Sequence, residues 1–165
     1  MAAAEPNKGA MVTLISSDNA RFEVDEEAAS LSKTVRLMMT EGGRDGSITL
    51  PNVDARTLAK VLEYCNKHAA ISSGDHPSNA AALEREELER FDNEFVNVDS
   101  VTLLFVINAA HYLGIEGLLD MACRKIADMM TGQTAEQMRQ TFGITNDLTP
   151  EEEEEIRREN SWAFV

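Results

Sequence analysis

Residues 11–27 read MVTLISSDNARFEVDEE, and their alternation decides the first half of the fold. Val12 and Leu14, then Phe22 and Val24, fall on every second position, and Ser16-Ser17-Asp18-Asn19 between them supplies turn chemistry. A β-hairpin with one buried face is predicted. Asp25 is placed to cap a following helix, in which Leu31, Val35, Met38 and Met39 recur at i, i+4, i+7 and i+8. Ser30 to Thr34 is polar enough to split that segment into two helices, and Gly42-Gly43 ends it. Ser47 to Leu50 reads as a short strand stopped by Pro51. Asp54 then caps a helix whose Leu58, Val61, Leu62 and Cys65 make one apolar stripe. Residues 11–68 are expected to run β-β-α-α-β-α, an α/β (α+β) unit with a small sheet.

Outward from this unit, residues 1–10 are expected to be a disordered N-terminus. Residues 69–90 read as a flexible acidic linker, because Ser72 to Asn79 has no periodicity and Leu83 to Arg90 is mostly charge. Helices are expected from Phe91 onward, with 91–130 completing the first domain and 131–165 forming a C-terminal helical extension. Val101 to Leu113 is apolar on almost every side, which predicts a helix enclosed by the core. Ile115, Leu118, Ala122 and Met129 make one row of the next helix, and Leu119, Cys123, Ile126 and Met130 make a second beside it. That face is wider than one neighbour requires. Gly132 is placed to close this helix. Thr134 with Gln137, and Thr149-Pro150-Glu151-Glu152, are capping boxes for two further helices.

The chain has 165 residues with 15 Lys plus Arg against 29 Asp plus Glu, a net charge of −14. Such a charge repels phosphate backbones and anionic lipid, so neither nucleic acid nor membrane is an expected partner. The longest apolar stretch, Val101 to Ala110, is about half of what a bilayer span needs. Cys65 and Cys123 lie far apart, and MAAAEPNKGA lacks the basic start and apolar run of a secretory signal; a reducing intracellular compartment is expected.

No catalytic, metal or cofactor constellation emerges. Cys65 and His68 form a C-x-x-H fragment, but His76, His111 and Cys123 are too scattered to complete a zinc site, so a core cysteine and a surface histidine are expected. Gly42-Gly43-Arg44-Asp45-Gly46 lacks the Lys-Ser/Thr of a phosphate loop and reads as a turn. Neither an enzyme nor a small-molecule substrate is expected.

The informative feature lies near the end. From Glu151 to Asn160 the one apolar residue is Ile156, and Trp162, the chain's single tryptophan, sits six positions later, about 240° around a helix. The two do not share a face. Trp162 is therefore either a core anchor that folds back or an interface anchor, a role in which tryptophan is enriched. Met121, Met129, Met130 and Met138, half of the eight methionines, precede it; thioethers repack around differently shaped partners.

Leu50-Pro51-Asn52-Val53, Phe95 to Asp99, Ala109-Ala110-His111-Tyr112-Leu113, Gly117-Leu118-Leu119-Asp120, Thr141-Phe142-Gly143-Ile144, and Asn146-Asp147-Leu148-Thr149-Pro150-Glu151 through Asn160-Ser161-Trp162 agree in order and spacing with one family. Over almost its full length the chain resembles the Skp adaptor of the Skp-cullin-F-box (SCF) ubiquitin ligases, and its ending Trp162-Ala163-Phe164 resembles the plant branch. The resemblance implies a BTB/POZ-type domain with a C-terminal helical extension that binds F-box proteins. It implies a non-catalytic adaptor for ubiquitin-dependent degradation, in nucleus and cytoplasm, that also engages the N-terminal region of a cullin. Position by position, His111 and Tyr112 fall on the family's cullin-contacting pair. The F-box side maps to Leu119, Cys123, Ile126 and Met130, with Phe142, Ile144, Leu148 and Trp162. His111 replaces the family's usual Asn, Gly114 its Asp or Asn, and Asn108 a leucine. If buried, Asn108 must find a hydrogen-bond partner or cost roughly 1 to 3 kcal/mol. The rival readings are a self-associating BTB-type module without cullin binding and a small hydrolase or metal enzyme.

Overall fold

Val12, Leu14 and Val24 bury one face of a twisted hairpin because the pleat sends alternate side chains to the same side. In the computed structural model, which describes residues 10–41, 47–72 and 78–163, β1 (Met11–Ile15) pairs antiparallel with β2 (Arg21–Asp25), and β3 (Ser47–Thr49) lies parallel on its other side, giving the order β2-β1-β3. The register puts Leu14 opposite both Phe22 and Ile48. In the hairpin turn Asn19 takes the left-handed conformation (φ 63°), which asparagine tolerates better than most residues. The buried Ser16 hydroxyl donates to Asp18 Oδ1 (2.6 Å), and that oxygen also accepts from the Ala55 amide (2.9 Å). Hydrogen bonding from Ser16 holds the Asp18 carboxyl below the usual carboxylate range, so this link between the turn and the next helix stays ionised near neutral pH.

The polar break at 30–34 produces two helices, α1 (Glu26–Ala29) and α2 (Lys33–Glu41). The glycines expected to end α2 lie outside the described residues, as does the glycine-rich turn. Asp54 accepts from the Thr57 amide (2.8 Å) at the start of α3 (Ala55–Ser72), whose Leu58, Val61, Leu62 and Cys65 are buried.

Residues 69–90 depart from the expected linker: 69–72 finish α3, and 78–90 belong to α4 (Ser78–Phe95). The physical reason is that α4 is held by polar and aromatic contacts rather than by an apolar stripe. Lys67 pairs with Glu87, His68 Nε2 lies 2.8 Å from Asp92 Oδ1, and Lys60 Nζ sits 4.3 Å above the Phe95 ring. Leu83 stays largely exposed, so a search for periodic apolar residues finds nothing there, while strong helix formers such as Leu, Glu, Arg and Ala still favour the helix. His68, expected at the surface, is only one-fifth exposed and stacks on Tyr64, with ring centroids 3.9 Å apart.

Helices α5 (Ser100–Leu113) and α6 (Glu116–Met130) complete this unit's core. At Gly117 a Cβ would stand 2.8 Å from the Tyr64 hydroxyl oxygen, so a larger residue there would make the end of that side chain shift. Two short helices follow, α7 (Ala135–Phe142) and α8 (Pro150–Glu159), and then a 3₁₀ turn at Ser161–Ala163. The chain divides into two compact units, one up to Met129 and one from Met130 onward. The expected architecture, a small sheet with packed helices and a helical C-terminal extension, is present. No single helix among the described residues is long and apolar enough to cross a membrane.

Candidate functional site

Helix α5 is two-faced, not enclosed all round. Leu103, Val106, Ala109, Ala110 and Leu113 are buried, and on the opposite arc Val101 (53%), Leu104 (40%) and Phe105 (54%) are exposed. At about 100° per residue, Val101, Leu104, Phe105, Asn108, His111 and Tyr112 share that outer arc. Asn108 is exposed there, so the burial penalty expected for it does not arise. The sequence reading missed this face because apolar side chains occupy both sides of the helix, which erases the amphipathic signal.

Both ends of α5 are fixed. Asp99 Oδ1 accepts from the Thr102 amide (2.8 Å) and Oδ2 from its hydroxyl (2.6 Å); the hydroxyl bond above all holds the Asp99 carboxyl below its ordinary range. At the other end the buried Ser32 hydroxyl donates to the Leu113 carbonyl (2.6 Å) and accepts from the Val35 amide (3.1 Å), and Thr34 Oγ1 donates to the Tyr112 carbonyl (2.8 Å). Lys33 pairs with Glu116 just beyond. These bonds fix the backbone that carries exposed His111 and half-buried Tyr112. Gly114 closes the helix at φ 65°. Glycine adopts that conformation freely, and asparagine or aspartate next most readily. Ser32→Ala is expected to lower stability by about 1–3 kcal/mol, because it strands a buried carbonyl and amide; a urea midpoint equal to wild type would reject the clamp.

Helix α6 separates its two rows. Ile115, just before it, and Leu118 and Ala122 within it are buried. Of the second row, Leu119 and Ile126 are half-buried, and Cys123 and Met130 are exposed. After Ala122 no described residue is buried.

The unit from Met130 onward is built from caps. Thr134 and Gln137 form a reciprocal capping box on α7, and Thr149 and Glu152 form one on α8, with Pro150 in its first turn. Thr141 Oγ1 donates to Gln133 Oε1 (3.1 Å), and Asn146 Nδ2 donates to Glu153 Oε1 (2.7 Å). A groove of about 850 Å³ within this unit is lined by Met138, Leu148, Ile156 and Ala163 among others. Phe142 is half-buried; Ile144 (58%), Leu148 (37%) and Ile156 (44%) are exposed, and Trp162 is 77% exposed. Trp162 is not buried as a core anchor would be.

Cys65 is buried, and burial pushes its thiol up to about 12, so it is not a thiolate at neutral pH. Among the described residues no group of three His, Cys, Asp or Glu side chains could hold a metal ion.

Two family models match this chain: one described as "Skp1 family, tetramerisation domain" over residues 10–70, and one described as "Skp1 family, dimerisation domain" over residues 116–163. The chain is 51% identical to SKP1-like protein 20 of Oryza sativa subsp. japonica over an alignment covering 98% of this chain and 99% of that one. It is 49% identical to SKP1-like protein 4 of Arabidopsis thaliana, covering 93% and 96%. The chain belongs to the Skp1 family. Skp1 family proteins are non-catalytic adaptors of SCF ubiquitin ligases, and the chain has that general role. The residues assigned by resemblance to the Skp1 cullin contact lie on the outer arc of α5. Those assigned to the F-box contact lie on the second row of α6 and on half-buried Phe142 and exposed Ile144, Leu148 and Trp162 of the C-terminal unit.

Proposed function

We propose that this Skp1 family member bridges the N-terminal region of a cullin to F-box substrate receptors, in the nucleus and the cytoplasm. Its mechanism is to hold two surfaces at once, so that the catalytic gain is proximity supplied to other proteins. The cullin side is the outer arc of α5, where Val101, Leu104, Phe105 and Asn108 extend the His111–Tyr112 pair. The F-box side comprises Leu119, Cys123, Ile126 and Met130 with Phe142, Ile144, Leu148 and Trp162.

The observation that carries this reading is the C-terminal unit itself. Its helices are fully capped, yet no described residue in it is buried and its large apolar side chains face solvent. Burial of such surface gains roughly 25 cal/mol per Å², and this chain leaves that gain to a partner. Co-purification with an F-box protein, and separately with a cullin N-terminal fragment, is expected to succeed in both cases. Loss of the F-box arm would remove the receptor half of the proposal, and loss of the cullin arm the scaffold half.

Phe105→Glu is expected to weaken cullin binding by about 1–3 kcal/mol while leaving F-box affinity and the unfolding midpoint unchanged, because Phe105 is exposed and far from either cap of α5. Calorimetry with equal cullin affinities would take α5 out of that interface. A second reading, self-association, is favoured by the descriptions of the two matching family models, dimerisation and tetramerisation. Light scattering of the pure chain decides it: a stable homo-oligomer that an F-box protein fails to dissociate supports this second reading.

A further inference from the structure

The geometry points to Arg139 as a positioning residue that holds α8 against α7 before a partner arrives, and so raises affinity for the partner that the groove receives. Arg139 is four-fifths buried on α7, while its neighbour Glu136 is two-thirds exposed. Its Nη2 lies 3.1 Å from Glu153 Oε1 on α8, and its Nη1 lies 3.3 Å from Glu136 Oε2. One guanidinium therefore spans two carboxylates. The same Glu153 oxygen accepts from Asn146 Nδ2 (2.7 Å), and Asn146 Oδ1 accepts from the Leu148 amide (3.1 Å), which draws the α7–α8 loop into the hub. By contrast, Arg158 on the outside of α8 is 76% exposed and stands 3.8 Å from Glu155.

The hub matters because apolar packing in this unit is thin. With no fully buried apolar side chain among the described residues of this unit, polar contacts carry much of the spacing between α7 and α8, and Arg139 and Glu153 both line the groove whose apolar wall is Met138, Leu148 and Ile156. A jaw held open in its binding shape spares the partner the ordering loss that a loose helix would impose. Arginine's rigid fork can bond both carboxylates at once, as the point charge of lysine cannot. What the jaw receives rests on the adaptor reading of the previous section; how the jaw is held does not.

The test uses the full chain in a Cys123→Ser background, with spin labels at Gln140 on α7 and Glu154 on α8, together with the affinity of unlabelled protein for an F-box protein. The wild type is expected to give one narrow distance distribution that broadens in about 1 M salt, where the screening length is about 3 Å. Arg139→Gln is expected to broaden it at low salt and to weaken F-box binding about tenfold. The exchange Arg139→Glu with Glu153→Arg, made together with Glu136→Gln to avoid like charges at 136 and 139, is expected to recover part of both readouts, which a variant that had merely failed to fold would not do. An Arg139→Gln distribution equal to wild type, or a broadened one with unchanged affinity, would overturn the proposal. A wild-type chain that binds no F-box protein would instead overturn the adaptor reading, and the distances would still decide the hub.

Discussion

Trp162→Ala is expected to weaken F-box binding by about 2 kcal/mol or more, roughly thirtyfold, while leaving the unfolding transition where it is. The two halves of that expectation come from one fact: the indole is 77% exposed in the free chain. A side chain that contributes little burial in the monomer has little stability to lose on truncation. In a complex the same ring can bury some 150–250 Å², more area than any other residue type offers, which is why tryptophan dominates interface energetics. Isothermal calorimetry and urea unfolding of the same preparation separate the outcomes. Equal affinities would make Trp162 a bystander, and a lowered midpoint would return it to the core.

A comparably large effect comes from two adjacent leucines on α6. Leu118 has no exposed surface and belongs to the core cluster, so Leu118→Ala is expected to lower stability by about 2–5 kcal/mol through lost burial and the cavity left behind. Leu119 is only half-buried, and Leu119→Ala is expected to lower stability by about 1 kcal/mol or less while weakening F-box binding by a similar or larger amount. One step along the helix, about 100°, moves the penalty from folding to association. If both variants lost stability equally, the second row of α6 would be core, and its assignment to a partner would fail.

The parts of the fold that were legible in the sequence share a local cause. The hairpin, the split at Ser30–Thr34 and the boxes at Thr134 and Thr149 each depend on residues within a few positions of one another, and the structure contains all of them. Helix α4 was not legible, because its ties to α3 run through Lys67–Glu87, His68–Asp92 and the ring of Phe95 under Lys60, pairs far apart in the chain. Nor was the outer arc of α5. Val101, Leu104 and Phe105 are as apolar as their buried neighbours, and hydrophobicity alone cannot say which side of a uniformly apolar helix meets the core.

By itself the sequence determined that the C-terminal third carries more apolar surface than its own helices can use, since Ile156 and Trp162 cannot share a face and α6 carries two rows. Which of those side chains are left for a partner was decided only by the tertiary structure. Burial depends on what packs opposite a residue, and periodicity records only which residues point the same way. Leu118 and Leu119 are the same residue type one position apart, and it took the assembled core to place one inside and leave the other half uncovered.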